Sequence, residues 1–122
     1  MSKIYKNKTT GDTFILLDEK SIFVDTDNLI ELNEHLKEGA GEKHVPVITK
    51  ENDGYLVKIG EVEHPMTIEH YIKWIEVLFE DSTSMIQTLN IETKPEAFFY
   101  TNKKVVKAIC YCNLHSVWTK EN

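Results

Sequence analysis

Short apolar runs separated by turn-forming residues recur along this chain and constrain its fold more than any other feature. Runs of this length, with Gly, Pro, Asn or Asp between them, are typical of β-strands joined by turns. The clearest runs are residues 55–62, 84–91, 96–100 and 104–112. Their spacing predicts an all-β sandwich.

Periodicity adds detail in two of the segments. Val106, Ala108, Cys110 and Cys112 alternate along their run, which predicts that these side chains share one face of a strand. Residues 70–80 fit both a helix and a strand, and the pattern leaves these two alternatives open.

Composition and charge exclude several classes of protein. The chain has 122 residues, 41% hydrophobic and 28% charged, which suits one main globular domain with a small appendage. Its net charge of -6 argues against nucleic acid as a partner, because phosphate binding requires a basic surface. No apolar run approaches the roughly 18 residues of a membrane span, and the N-terminus lacks an apolar signal core. We therefore expect a cytoplasmic protein without a membrane partner.

The chain has two cysteines, Cys110 and Cys112. A disulfide between residues this close on a strand would be strained, so both are expected to be reduced, as is usual in the cytoplasm. Cys110 is expected to be a small buried residue rather than a ligand.

The stretch from Lys37 to Gly41 has the glycine-containing composition of a linker and is the best internal boundary. It predicts an N-terminal segment, residues 1–38, and a main domain, residues 39–122. Strand-like runs in the N-terminal segment cover residues 13–17, 21–24 and 29–32.

Histidines carry the main chemical signal. The Cys-x-x-His spacing of Cys112 and His115 lets one turn present a thiolate and an imidazole to the same ion. A loop is expected around His64 and His70, because Pro65 follows the first of them and their separation does not match one helix face. The candidate ligands are His44, His64, His70, Cys112 and His115, while His35 is expected to be an ordinary surface or core residue. Spacing alone leaves metal binding and ordinary structural roles open as alternatives.

Five such ligands would form an unusual metal site. Structural zinc is satisfied by four ligands in a tetrahedron, whereas four imidazoles and a thiolate suit a square pyramid with one vacant position. Imidazole binds iron, copper, nickel and zinc, and a vacant position points to redox chemistry on a small molecule. A thiolate opposite that position would push electron density through the metal, as in thiolate-ligated haem.

Five motifs, in order, resemble those of the superoxide reductase family, the desulfoferrodoxin and neelaredoxin group. They are Glu-Lys-His-Val-Pro-Val at 42–47, Val-Glu-His-Pro-Met-Thr at 62–67, Glu-His-Tyr-Ile at 69–72 with Trp74, Lys-Pro-Glu-Ala at 94–97, and Cys-Asn-Leu-His at 112–115 with Trp118. The resemblance covers about residues 40–120.

The resemblance implies an immunoglobulin-like β-sandwich that holds one mononuclear iron, as Fe2+ or Fe3+, and reduces superoxide to hydrogen peroxide. It implies electrons from rubredoxin or a similar donor, and we expect a homo-oligomer, a dimer or a tetramer. Glu42 resembles the glutamate that can cap the sixth position of the ferric form, and Lys43 resembles the lysine beside the open site. The ligands would be four equatorial histidines and an axial cysteine: His44, His64, His70, His115 and Cys112.

Residues 1–38 depart from the longer family members, which carry a desulforedoxin-like domain with a second iron held by four cysteines. Tyr-Lys-Asn-Lys-Thr-Thr-Gly at 5–11 resembles the opening of that domain, but Asn7 and Thr10 stand where cysteines are expected. Since no cysteine precedes Cys110, we interpret residues 1–38 as a degenerate desulforedoxin-like segment without metal, useful for packing or dimerisation.

The negative net charge poses a problem for an anionic substrate, and local charge answers it. Ferrous iron with one thiolate and neutral imidazoles carries a charge of about +1, to which Lys43 adds another. A pair of unit charges about 5 Å apart at an effective dielectric constant of about 20 attracts by roughly 3 kcal/mol. Two other functions stay open as alternatives: a dismutase, which would also release dioxygen, and an electron carrier or binding module whose sixth position is closed.

Overall fold

The computed structural model describes residues 3–17, 27–35 and 41–122, apart from the side chains of residues 34, 35, 41 and 42. The chain divides into two compact units, Met1–Asn33 and Glu34–Asn122. Most of the predicted linker, the boundary after residue 38 and the run predicted at 21–24 lie outside the described residues. The boundary after residue 38 therefore stays a prediction.

The described part of the first unit contains a small antiparallel sheet. In order across the sheet, its strands are β2 (Thr13–Ile15), β1 (Ile4–Asn7) and β3 (Leu29–Glu31). Asn7 organises the turn between β1 and β2, because its Oδ1 accepts hydrogen bonds from the backbone N–H groups of Thr9 at 2.8 Å and Thr10 at 3.0 Å. A side-chain amide thus shapes the turn in which the resemblance would place a cysteine.

Two sheets and a short helix, α1 (Gly41–His44), make up the described part of the second unit. One sheet contains, in order, β5 (Pro46–Glu51), β6 (Gly54–Ile59) and β9 (Glu96–Tyr100). The other contains, in order, β4 (Glu34–His35), β11 (Ser116–Glu121), β10 (Val105–Cys112), β7 (Ile72–Phe79) and β8 (Ser84–Thr88). Among the described residues, no helix has the length and apolar character needed to cross a membrane.

The hydrophobic core lies between these two sheets. Tyr55, Val57 and Ile59, alternate residues of β6, are buried and belong to one cluster with Ile75 and Val77 of β7. Alternate residues of facing sheets are expected to interdigitate in this way in a sandwich. The predicted all-β, immunoglobulin-like sandwich is therefore confirmed.

Residues 70–80, for which the sequence allowed either a helix or a strand, contain the strand β7 (Ile72–Phe79). This strand pairs with β10 on one side and β8 on the other. Six of its eight side chains are buried, including those of Trp74 and Glu76 on the face opposite the core cluster. A strand buried on both faces lacks the alternation of polar and apolar residues. Its sequence pattern therefore could not distinguish a strand from a helix.

The prediction of which β10 side chains share one face is wrong at one residue, Val106. The pairing of β10 with β7 shifts register after Val105, and Val105 rather than Val106 joins the core cluster. A β-bulge adds one residue to one strand, so side chains before it alternate out of phase with those after it. Ala108, Cys110 and Cys112 lie in the core, as predicted.

Candidate metal centre

Strand register brings the ends of several strands together. Pro46 lies opposite Ile59, so the start of β5 adjoins the end of β6. Cys112 lies opposite both Ile72 and Ser116, so the end of β10 adjoins the starts of β7 and β11. The candidate ligands lie at these ends: His44 closes α1, His64 and His70 lie between β6 and β7, Cys112 ends β10, and His115 lies in the turn to β11.

Four of the predicted ligands bring their donor atoms together. One donor atom from each of His44, His70, Cys112 and His115 lies within 4.8 Å of the others. His115 Nδ1 is 3.0 Å from His44 Nε2, and Cys112 Sγ is 3.8 Å from His115 Nδ1. Two ligands at right angles, each about 2.1 Å from an ion, lie about 3.0 Å apart. This spacing therefore fits ligation of one shared ion.

The fifth predicted ligand, His64, lies directly beside this group of four. Its Nε2 is 3.2 Å from His44 Nε2, and its ring centroid is 4.6 Å from that of His70. Its Nδ1 is 2.7 Å from the carbonyl oxygen of Pro65, so we assign the proton to Nδ1. The Nε2 lone pair then faces the other donor atoms, and metal-binding histidines are typically oriented by such a bond.

An unsatisfied nitrogen tests whether a metal fits this site. His70 Nε2 is buried and has no hydrogen-bond partner among the described residues. A buried polar atom left without a partner destabilises a protein by roughly 1–3 kcal/mol. A metal ion would satisfy this nitrogen, and a donor set of imidazole nitrogens with one sulfur suits a transition metal such as iron.

Burial sets the ionisation of these side chains. It lowers the pKa of His64 to about 4 and also lowers the pKa of His70. Both imidazoles are therefore neutral at neutral pH, which is the form that binds a metal. Burial raises the pKa of the Cys112 thiol, while hydrogen bonds from the backbone N–H groups of Leu114 and His115 act in the opposite direction.

Comparison with known proteins decides the family. A model of the desulfoferrodoxin family matches residues 36–121. This chain belongs to the desulfoferrodoxin family. The desulfoferrodoxin of Syntrophotalea carbinolica is 48% identical over 90 residues, which cover 74% of this chain and 71% of the relative. The superoxide reductase of Thermococcus kodakarensis is 41% identical over 110 residues, which cover 74% of this chain and 96% of the relative.

A solved structure supports the same membership in the desulfoferrodoxin family. The crystal structure of the superoxide reductase from Treponema pallidum superposes with a TM-score of 0.80 and 28% sequence identity. The match covers 99% of this chain and 98% of the other. The family resemblance carried by the five sequence motifs is thereby confirmed.

Two buried side chains contact the candidate histidine ligands or the backbone next to them. The Trp118 ring stacks on His44, with centroids 4.8 Å apart and planes at 21°, and Trp118 Nε1 donates to the His115 carbonyl oxygen at 2.9 Å. The fully buried Cys110 thiol donates to the His44 carbonyl oxygen at 3.3 Å. Cys110 is thus a buried residue, as predicted. Sequence analysis assigned neither residue a supporting role, and the one signal was the position of Trp118 three residues after a candidate ligand.

The side chains of this donor group differ in their exposure to solvent. His44, His64 and Cys112 are buried, whereas His70 is half-buried and His115 is exposed. Solvent therefore reaches the side chains of His70 and His115 but not those of the other three residues.

The structure describes the side chain of only one of the two residues predicted to act beside the metal. Lys43 is exposed, and its charge contributes to the lowered pKa of His70 after the larger effects of burial and of His115, which indicates that the ammonium group lies near His70. The side chain of Glu42 lies outside the described residues, so its role stays a prediction. The side chain of His35 also lies outside them.

Proposed function

We propose that this chain reduces superoxide to hydrogen peroxide at one iron held by five side chains: His44, His64, His70, Cys112 and His115. The observation that carries the ligand assignment is the convergence of donor atoms from His44, His70, Cys112 and His115 within 4.8 Å. His64 joins them through its Nε2, which lies 3.2 Å from His44 Nε2. The predicted activity and the single iron are confirmed by relatives and a solved structure that carry the name superoxide reductase. When bound, the iron supplies the electron and a coordination position for the anion.

The chain's own groups prepare this site. The carbonyl oxygen of Pro65 fixes the proton of His64 on Nδ1, which leaves Nε2 for the metal. The backbone N–H groups of Leu114 and His115 stabilise negative charge on the Cys112 sulfur. These contacts orient His64 and ease deprotonation of the Cys112 thiol, whose pKa burial raises, so the thiolate would form as the metal binds.

Counting products tests the proposal. The reduced, iron-loaded protein should consume one donor electron for each superoxide, form hydrogen peroxide and release no dioxygen. A dismutase would instead release dioxygen. An electron carrier with a closed sixth position would show no rapid reaction with superoxide on mixing.

Lys43→Ala is expected to slow the capture of superoxide about 10-fold at low ionic strength and to flatten its dependence on salt. A positive charge beside an open site raises the association rate of an anion, and salt screens this effect. Rapid mixing of the reduced protein with superoxide at several ionic strengths measures both quantities.

Two variants control for the loss of charge alone. Lys43→Arg keeps the charge and should keep the salt dependence. Lys50→Ala removes a charge near the other end of β5 and should change the rate little. If Lys43→Ala and the unchanged protein share one rate at every ionic strength, Lys43 does not attract the substrate.

Glu42→Ala is expected to leave capture fast but to change the optical spectrum of the oxidised protein. A carboxylate that caps the sixth position of ferric iron would be replaced there by solvent, which has a different ligand strength. A pH titration of the ferric spectrum measures the change, and identical titrations of variant and parent would exclude ligation by Glu42.

The electron donor, the location and the assembly belong to this proposal. We assign the donor as rubredoxin or a similar small carrier, the location as the cytoplasm and the assembly as a homo-oligomer. We also assign residues 1–38 as a degenerate desulforedoxin-like segment without metal. The position of both cysteines after residue 109 and the hydrogen bonds of Asn7 to its own turn support this last assignment. Oxidation of reduced rubredoxin on addition of protein and superoxide tests the donor.

A further inference from the structure

We propose that Asn113 is the positioning residue that holds His70 against Cys112. Asn113 directly follows Cys112, and it makes hydrogen bonds to the residues on both sides of His70. Its backbone N–H donates to the Tyr71 carbonyl oxygen at 3.2 Å, and its Oδ1 accepts from the Tyr71 N–H at 2.9 Å. Its Nδ2 donates to the Glu69 carbonyl oxygen at 3.0 Å. This inference rests on the metal ligands assigned above.

The loop that carries His70 needs such a connection. Thr67 and His70 exchange two backbone hydrogen bonds, at 3.0 and 3.1 Å, and these bonds fix only the local shape of the turn. The side chains between them do not anchor it, because Ile68 is 72% exposed and Glu69 is also exposed. The bonds from Asn113 join this exposed turn to the end of β10, which carries Cys112.

The chemistry at position 113 requires both a donor and an acceptor on one short side chain. Asparagine supplies one N–H group to the Glu69 carbonyl oxygen and one oxygen to the Tyr71 N–H. Aspartate would keep the acceptor, but it would set a carboxylate oxygen against the Glu69 carbonyl oxygen. Alanine would remove both groups. Either change should loosen the connection between the His70 turn and the end of β10, and should therefore lower the affinity of the site for the metal.

Metal affinity and optical spectra test this role without recourse to catalysis. Co2+ added to the metal-free protein reports ligand geometry through its visible bands, and competition with a chelator gives the affinity. We expect Asn113→Ala to weaken Co2+ binding about 10–100-fold, the usual effect of losing a group that orients a ligand. Asn113→Asp should fall between Asn113→Ala and the parent, or match Asn113→Ala. Asn90→Ala, which removes a comparable bond from the Glu92 N–H at 2.9 Å in another loop, should change nothing.

A double-mutant cycle separates positioning from a general effect on folding. If Asn113 acts through His70, then Asn113→Ala should have little further effect on Co2+ affinity in a His70→Ala background. The same loss in both backgrounds, or an affinity of Asn113→Ala and Asn113→Asp equal to that of the parent, would overturn the inference. Thermal unfolding of each metal-free variant shows whether it folds, and Asn113→Asp carries the test if Asn113→Ala does not. A parent protein that binds no Co2+ would instead overturn the proposed metal site.

Discussion

Cys112→Ser is expected to abolish the visible sulfur-to-iron charge-transfer band of the oxidised protein and to lower superoxide reduction by more than about 100-fold. Changes to groups that only orient a ligand cost about 10–100-fold, so loss of the ligand itself should cost more. The hydroxyl of serine is a poor substitute, because it does not ionise near neutral pH and its oxygen is a harder donor than sulfur. The optical spectrum and the rate of superoxide reduction measure the two effects.

The chain offers a matched control two residues away. Cys110 is on the same strand and, like Cys112, is fully buried. Its thiol donates a hydrogen bond to the His44 carbonyl oxygen at 3.3 Å, and a serine hydroxyl can donate the same bond. Cys110→Ser should therefore keep the band and most of the activity. If both serine variants keep the band, or Cys110→Ser alone loses it, then Cys112 is not the thiolate ligand.

Strands of the sandwich could be predicted where an apolar run is bounded by turn-forming residues close to it in the sequence. Residues 96–100 agree at both ends with β9, because Lys94-Pro95 precedes the strand and a turn follows its last apolar residue. The sequence did not identify β5, which begins at Pro46 and ends in three exposed polar residues. Proline is tolerated as the first residue of a strand, but it reads as a breaker when only the sequence is known.

The candidate ligands could be chosen from sequence because the motifs around them resemble those of a known family. The groups that orient them could not, since each acts on a residue that is distant along the chain. Asn113 bonds residues on either side of His70, and Trp118 stacks on His44. Such contacts depend on strand register, which apolar patterning fixes only in part and which the bulge after Val105 shifts.

Gly60→Ala is expected to destabilise the protein by about 3 kcal/mol, and to lower its melting temperature by about 10 °C or more. Gly60 has φ of +85°, a conformation that L residues with a side chain rarely adopt. A Cβ there would also lie 2.5 Å from the Val62 carbonyl oxygen and 2.6 Å from the Lys43 carbonyl oxygen. Both contacts are with backbone, so the chain must shift rather than rotate a side chain away. Thermal unfolding of the metal-free protein measures the loss.

The location of this strain predicts a second effect that a general loss of stability would not produce. Gly60 follows β6 on the way to His64, and its clash partner Lys43 directly precedes His44, so a shift would separate two ligands. Gly11→Ala is the matched control, because Gly11 has φ of +79° but nothing within 4 Å of an added Cβ. We expect Gly11→Ala to cost about 1 kcal/mol and leave Co2+ affinity unchanged, while Gly60→Ala weakens it. Equal losses of stability with unchanged affinity in both variants would mean that the close approach at Gly60 does not hold the ligand loops in place.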